Sequence, residues 1–202
     1  MNRQNTKYII HNTGPRLNAK QLRSSNPKKT DLERLERRQI YIICDNILDA
    51  YNIGSIFRLA DAVAASKIYL CGETQTPPYH RIAKAAVGTD KWVPWEHKET
   101  AVEAIEELRE RHSRLDRESD PRVREDDSRG IKVYAIEQGK GSVDFRKVNF
   151  SEPVAFVVGH ETTGVSRDAI EEVDAMIEIP MLGVNRSMNV VISLAIVLSK
   201  LF

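Results

Sequence analysis

Three short polar segments contain the residues of this sequence that could do chemistry. They span residues 52–58 (NIGSIFR), 159–166 (GHETTGVS) and 179–189 (IPMLGVNRSMN). Each lies near the end of an apolar run and combines glycine with amide, hydroxyl, carboxylate or guanidinium side chains. Such groups can bind a phosphate, stabilise a developing oxyanion, or hold a ligand through the main chain where a Cβ atom is missing.

Each segment on its own also has a purely structural explanation. Its glycines fit turns and loop ends, and Ser187 fits the N-cap of a last helix. Arg58 fits an ion pair with Asp61 on the surface of one helix. The chemical interpretation therefore depends on the three segments acting together.

The spacing of the residues excludes several common kinds of metal, nucleotide and hydrolase site. The run His160–Glu161–Thr162–Thr163–Gly164 resembles the zinc-protease HExxH, but glycine stands where the second histidine must be. The sequence has no GxxxxGK[ST] phosphate loop, no GxGxxG after its first strand and no GxSxG elbow. Cys44 and Cys71 lie in separate apolar runs, which is typical of buried free thiols in a reducing compartment. We expect no metal site.

The elements that must position these segments form a repeating strand–helix pattern. Apolar, β-branched runs predict strands, and residues at helical spacing predict helices. The predicted strands cover residues 39–44, 67–71, 92–95, 131–136, 154–158 and 177–179. The predicted helices cover residues 31–38, 56–65, 80–86 and 100–115, and a last one runs from Ser187 to the end. This order predicts an α/β fold with a mostly parallel sheet and helices on both faces.

Composition and charge divide the chain into a basic extension and one folded domain. A chain of 202 residues with 41% hydrophobic content can bury a core without disulfides. The first 30 residues contain seven basic residues and no acidic one, although the formal net charge is only +1. We predict an extension over residues 1–38 and a domain over 39–202, with a charged loop at 116–130. The extension is either a contact for a polyanion such as nucleic acid or a solvated tail.

We find no apolar leader and no run long enough to span a membrane, so we expect a cytoplasmic protein.

Together and in this order, the three segments resemble the motifs of the SPOUT superfamily, and within it the SpoU (TrmH-type) RNA ribose 2′-O-methyltransferases. Asn52-x-Gly54-Ser55-x-x-Arg58 is similar to the first motif. Gly159-x-Glu161-x-x-Gly164-Val165-Ser166 is similar to the second. The third is matched by Ile179-Pro180-Met181-x-Gly183-x-x-x-Ser187-Met188-Asn189-Val190.

The resemblance implies a C-terminal deep trefoil knot that holds S-adenosylmethionine, an RNA substrate and a homodimer. It implies the cofactor-binding residues Ile136, Gly159, Glu161, Gly164, Ile179, Met181, Leu182, Ser187 and Met188. It implies the catalytic residues Arg58, Asn52, Glu161, Ser187 and Asn189. Arg58 acts in this scheme either as a base or as an electrostatic stabiliser of the ribose oxygen.

Two functions follow from the resemblance. The first is methylation of a ribose 2′-hydroxyl in RNA, with tRNA favoured over rRNA because the chain has no room for a large RNA-binding domain. The alternative is a non-catalytic RNA-binding or assembly protein that keeps the knotted fold. The presence of all the implied catalytic residues favours the enzyme.

Overall fold

The computed structural model describes residues 14–119 and 130–202. Its strands are β1 (Arg38–Asp45), β2 (Ala65–Cys71), β3 (Trp95–Lys98), β4 (Lys132–Ile136), β5 (Val143–Asp144), β6 (Val154–Gly159) and β7 (Ala175–Glu178). Its α-helices are α1 (Ala19–Ser24), α2 (Lys29–Glu33), α3 (Ala50–Ala62), α4 (His80–Ala86), α5 (Ala101–Ser119), α6 (Arg167–Glu172) and α7 (Val190–Leu198). Short 3₁₀ segments lie at Thr89–Lys91, Phe145–Lys147 and Ser199–Leu201.

These strands form one sheet in the order β3-β2-β1-β6-β4-β7-β5, and each of its strand pairs is parallel. The carboxyl ends of the strands therefore share one edge, where open α/β sheets bind ligands. The chain moves outward from β1 to β3 on one side and later returns to the other side of β1. There β6 enters between β1 and β4, and β7 enters between β4 and β5. The predicted α/β fold with a parallel sheet is confirmed.

Helices cover both faces of the sheet. On one face α3, α4 and α7 contribute buried side chains such as Ile53, Ile82 and Leu194 to the core. On the other face α5 and α6 contribute Leu108 and Ala169. Every residue of β6 is buried, as an entirely apolar strand covered on both sides requires.

The helix that carries the first motif begins earlier than the sequence predicts. The sequence predicts a turn at residues 52–55 and a helix from Ile56, but α3 begins at Ala50. The Asp49 side chain caps it by accepting a hydrogen bond from the backbone N–H of Tyr51 at 2.8 Å. Gly54 lies inside this helix because α4 packs against it. A Cβ atom there would lie 2.5 Å from the carbonyl oxygen of Ile82.

Several other predicted boundaries differ from the structure. The predicted charged loop at 116–130 is wrong at its start, since α5 continues to Ser119; residues 120–129 lie outside the described part. The extended piece at 92–95 is displaced to β3, after a 3₁₀ turn. The predicted helix at 31–38 is instead α2, which ends at Glu33 before β1 begins.

The end of the chain also differs from its prediction. The last helix was expected to begin at Ser187, but Asn189 is its N-cap and accepts a hydrogen bond from the backbone N–H of Val191 at 2.9 Å. A 3₁₀ turn follows it. Lys200 in that turn donates hydrogen bonds to three backbone carbonyls, those of Phe145, Arg146 and Val148.

Candidate functional site

A cavity of about 400 Å³ lies at the carboxyl ends of β4, β6 and β7. Its volume falls within the range of small-molecule sites, roughly 300–1,000 Å³. The cavity is lined by eight of the nine residues that the resemblance implied for cofactor binding, namely Ile136, Gly159, Glu161, Gly164, Ile179, Met181, Ser187 and Met188. The second and third motifs therefore meet at one place.

One wall of the cavity is apolar. Ile136, Ile179, Met181 and Met188 are partly buried, and they contribute aliphatic and thioether surface. Additional apolar surface comes from Ile177 at the end of β7. Such a wall fits a flat aromatic ring, which the neighbouring backbone groups can hold by its polar edge.

The glycine loop that forms another wall folds back on itself. The backbone N–H of Gly164 donates a hydrogen bond to the carbonyl of His160 at 2.9 Å. A Cβ atom on Gly159 would collide with the backbone of Gly164 and Val165. Gly159 lines the cavity, but the space that its missing Cβ leaves is filled by this backbone and not by a ligand. The glycine lets the loop close over the end of β6.

Two carboxylates that the sequence argument missed hold this loop in place. Glu137 follows β4 and accepts a hydrogen bond from the Val165 N–H at 3.0 Å. Asp45 ends β1, is only 2% exposed, and accepts one from the Ser166 N–H at 2.7 Å. Gly164 has φ +73°, and a Cβ atom there would collide with the Glu137 carboxylate. Side chains at two strand ends therefore fix the conformation of the second motif.

A second set of hydrogen bonds joins all three motifs, and we call it the junction of Asn52, Glu161 and Asn189. The Asn52 side-chain amide donates to the Glu161 carboxylate at 2.9 Å. The Asn189 amide in turn donates to the Asn52 carbonyl oxygen at 3.1 Å. Asn52 is only 8% exposed, so this arrangement satisfies polar groups that water reaches poorly.

The Glu161 carboxylate also accepts hydrogen bonds from the backbone N–H groups of Leu48 at 3.3 Å and Asp49 at 3.0 Å. Partial desolvation acts to raise the pKa of Glu161. The hydrogen bonds from Asn52 and from backbone amides outweigh that effect and leave the pKa below its ordinary value. Glu161 is therefore an anion that holds the start of α3 beside the cavity.

His160 and Ser187 add polar groups to the rim. The Nδ1 atom of His160 accepts hydrogen bonds from the backbone N–H groups of Thr162 at 2.9 Å and Thr163 at 3.3 Å. Since these donors are fixed, the neutral His160 ring carries its proton on Nε2. The N–H of Ser187 donates to the Asn185 side chain at 3.1 Å, and the Ser187 side chain lies exposed at the cavity.

Three predicted site residues do not line the cavity of their own chain. Asn52 lies in the junction with Glu161 and Asn189. Leu182 is 97% exposed on the loop before α7, so the structure does not place it in the apolar wall. Arg58 is exposed on α3. Its side chain makes no hydrogen bond or ion pair with residues 14–119 or 130–202, so the alternative pairing with Asp61 does not form within them.

The residues that line the cavity fit S-adenosylmethionine. The apolar wall of the cavity suits an adenine ring, and its lining includes Glu137, Glu161 and Glu178, whose carboxylates suit the positive sulfonium and ammonium groups of the cofactor. Within the described residues, no group of three or more His, Cys, Asp or Glu side chains is arranged to hold a metal ion. In the same part of the chain, no helix is long and apolar enough to span a membrane.

Known proteins are similar to this chain in both sequence and fold. A tRNA (guanosine(18)-2′-O)-methyltransferase from Aquifex aeolicus is 31% identical over 175 residues, which cover 82% of this chain and 71% of that protein. The Thermus thermophilus protein of the same name is 30% identical, with 82% and 76% covered.

Among solved structures, the A. aeolicus TrmH/SpoU tRNA modifying enzyme superposes with a TM-score of 0.66 at 27% identity, covering 90% of this chain and 79% of that one. An AdoMet-bound rRNA methyltransferase from Sinorhizobium meliloti superposes with a TM-score of 0.63 at 29% identity. This alignment covers 89% of our chain and 58% of the other. The family described as SpoU rRNA Methylase matches residues 39–124 and 120–199. The chain therefore belongs to the SpoU methylase family.

Proposed function

We propose that this protein transfers a methyl group from S-adenosylmethionine to a ribose 2′-hydroxyl of RNA. The junction of Asn52, Glu161 and Asn189 carries the proposal, because it joins the three motifs beside a cavity that fits the cofactor. We propose tRNA as the RNA class, since the relatives at 30% identity and above that we describe are named as tRNA methyltransferases.

The cavity residues have separate tasks in this proposal. The bound cofactor supplies an electrophilic methyl group on sulfur. Ile136, Ile179 and Met188 would hold its adenine ring, and Gly159 and Gly164 give the wall its closed backbone shape. Ser187 at the rim would contact the cofactor or a ribose hydroxyl. Leu182 contributes only if the exposed loop before α7 moves toward the cavity.

Arg58 is our candidate for the residue that acts on the ribose. A guanidinium does not ordinarily lose its proton in a protein, so we assign Arg58 an electrostatic task and not that of a base. It would bind the phosphate beside the target nucleotide through two parallel N–H groups. It would also stabilise the negative charge on the ribose oxygen as its proton passes to solvent water, the bond from oxygen to the methyl carbon forms and the methyl–sulfur bond breaks.

We further propose that Arg58 acts at the cavity of a second copy of the chain. It lies outside the cavity of its own chain. Large apolar side chains are exposed nearby on the elements that border the junction, including Leu48, Tyr51 and Ile192. A two-fold dimer would bury such side chains and could bring Arg58 to the partner's cofactor.

We keep two further predictions from the sequence. One is the C-terminal trefoil knot, which the insertion of β6 and β7 between earlier strands supports. The other is a cytoplasmic location, which the reduced and buried Cys44 and Cys71 support.

The test compares wild type with Arg58→Ala on unmodified tRNA transcripts. We expect methylation to fall by about 10²-fold or more while binding of labelled S-adenosylmethionine is retained. Mass mapping of digested RNA then identifies the ribose that is modified. Wild-type turnover by the variant would overturn the assignment of Arg58. Cofactor binding by wild type without any methylation would favour the non-catalytic alternative.

A mixing experiment tests the shared site. Ile179→Arg places a charged side chain in the apolar wall of the cavity, and Arg58→Ala removes the guanidinium. If each site uses residues of two chains, a mixture of the two inactive variants forms hybrid dimers that recover part of the activity. Absence of recovery, with hybrid dimers demonstrated by native mass spectrometry, would overturn the shared site.

A further inference from the structure

We infer that exposed faces of α1 and α4 form one basic surface that binds the phosphate backbone of the RNA substrate. We call this surface the basic ridge and define it by Lys20 and Arg23 on α1 and by Arg81 and Lys84 on α4. The inference rests on the proposed function. It assigns the grip on RNA to residues that lie outside the three motifs.

Contacts at the end of α4 join the two helices. Gly88 follows α4 at φ +98°, and a Cβ atom there would collide with the backbone of Leu22 in α1. The Lys91 ammonium donates hydrogen bonds to the carbonyls of Arg23 at 3.4 Å and Ser25 at 3.3 Å. Part of the basic extension is therefore packed on the folded domain, and its charges add to those of α4.

The ridge continues toward Arg58. Gly54 of α3 packs directly on α4, with its Cβ position 2.6 Å from the Ala85 Cβ and 2.8 Å from the Ala86 nitrogen. Arg58 follows Gly54 by four residues, so it lies on nearly the same side of α3, one turn farther along. A polyanion that crosses α1 and α4 would thus lead to the guanidinium proposed to hold the target nucleotide.

The charges of the ridge are available to a ligand. All four side chains belong to exposed residues, and neither α1 (AKQLRS) nor α4 (HRIAKAA) contains an acidic residue. None of the four makes a hydrogen bond or ion pair of its side chain with residues 14–119 or 130–202. On the other face of the sheet, by contrast, the Arg109 guanidinium of α5 is paired with Glu172 at 3.2 Å.

The position of the ridge favours RNA over other polyanions. A row of unpaired Lys and Arg side chains binds phosphates irrespective of base sequence, and it gives binding a steep dependence on salt. The ridge lies on the helix that packs against α3, which carries Arg58, and a phosphate is needed at Arg58 for the proposed reaction. An anionic membrane or an acidic protein would have no such requirement for Arg58.

The experiment removes two charges from the ridge and two from a matched site. Arg81→Gln with Lys84→Gln neutralises positions three residues apart on α4. The control, Arg111→Gln with Arg114→Gln, neutralises exposed positions with the same spacing on α5, which covers the opposite face of the sheet. The measurements are KM for tRNA, kcat, cofactor affinity, and direct tRNA binding across a salt series.

We expect the ridge variant to raise KM for tRNA about tenfold near 100 mM salt, with kcat and cofactor affinity little changed. The slope of log affinity against log salt should decrease in magnitude by about 1.4–1.8, since two phosphate contacts are lost and each contributes about 0.7–0.9. The control should match wild type. An unchanged slope and KM in the ridge variant would overturn the inference while leaving methylation by wild type intact.

Failure of the proposed function can be distinguished from failure of the inference about the ridge. If wild type does not methylate tRNA, the direct binding measurement still tests the ridge through its salt slope. Equal loss of affinity for tRNA and for vesicles of anionic lipid in the ridge variant would show a general polyanion surface and overturn the assignment to RNA.

Discussion

Replacement of Glu161 by glutamine tests whether the junction of Asn52, Glu161 and Asn189 holds the site together. The carboxylate accepts hydrogen bonds from the Asn52 amide and from the backbone N–H groups of Leu48 and Asp49. In Glu161→Gln one acceptor oxygen becomes an NH₂ donor. At least one of these donors then faces another donor, and the remaining bonds lose their charge assistance.

The expected loss can be worked out from these bonds. Hydrogen bonds to a charged group contribute roughly 1.5–3 kcal/mol when buried, and partial exposure of Glu161 reduces that figure. We expect Glu161→Gln to lower the free energy of unfolding by about 1–2 kcal/mol. For a domain of this size that corresponds to a decrease in Tm of about 3–6 °C.

The stability difference between wild type and Glu161→Gln should also depend on pH. Because folding lowers the pKa of Glu161, its contribution to stability is fully present above the unfolded-state value, near 4.5. The contribution is lost as pH falls through the lower folded-state value. The stability difference between wild type and Glu161→Gln should therefore be largest at neutral pH and should shrink below about pH 4.5.

The assay is thermal unfolding followed by circular dichroism between neutral and acidic pH. Glu171→Gln is the matched control, since Glu171 is exposed and its ion pair with Arg167 lies on the surface of α6. That control should change Tm by less than about 2 °C. If Glu161→Gln has the same Tm as wild type at neutral pH, or if the difference in Tm does not shrink in acid, the junction does not stabilise the fold.

Three further substitutions probe the elements around the site. Gly54→Ala should lower the free energy of unfolding in urea by about 2–3 kcal/mol, because its Cβ would lie 2.5 Å from the backbone oxygen of Ile82 and push α3 from α4. An unchanged free energy would contradict the close packing of the two helices. Lys200→Met should lower it by about 1–2 kcal/mol and speed amide exchange in the last turns, since three carbonyls lose their donor; unchanged exchange would contradict this. Asn189→Ala should cost about 1 kcal/mol in the same assay, whereas Asn189→Ser keeps the helix cap and should recover most of it; equal losses would assign the effect to the bond with Asn52.

The sheet could be predicted from the sequence because its strands are buried on both faces. Runs such as residues 39–44 and 154–158 are continuous and apolar, which a parallel sheet between two helical layers requires. Boundaries set by single side chains could not be predicted in the same way. Asp49 and Asn189 both cap helices, yet their cap bonds are visible only in the folded chain.

The site could be predicted only in part. The apolar wall and the glycines lie at strand ends, so their convergence follows from a parallel sheet. Asp45 and Glu137 were missed because each acts on backbone amides far along the chain, 121 and 28 residues away. Their signal in the sequence was an acidic residue directly after an apolar strand, which does not by itself show whether the side chain is buried or what it binds.

The geometry of α3 explains why one motif contains two residues that serve different places. Asn52 and Arg58 are six residues apart, which rotates their side chains by about 240° around an ideal helix. Asn52 is buried against Glu161 and Asn189, so Arg58 must point well away from the junction. Gly54, between them in sequence, contacts α4. If both residues serve one reaction, as their place in one motif suggests, no rotation of α3 brings both of them to the junction within one chain. The second copy of the chain that we propose would meet that requirement without any change in the helix.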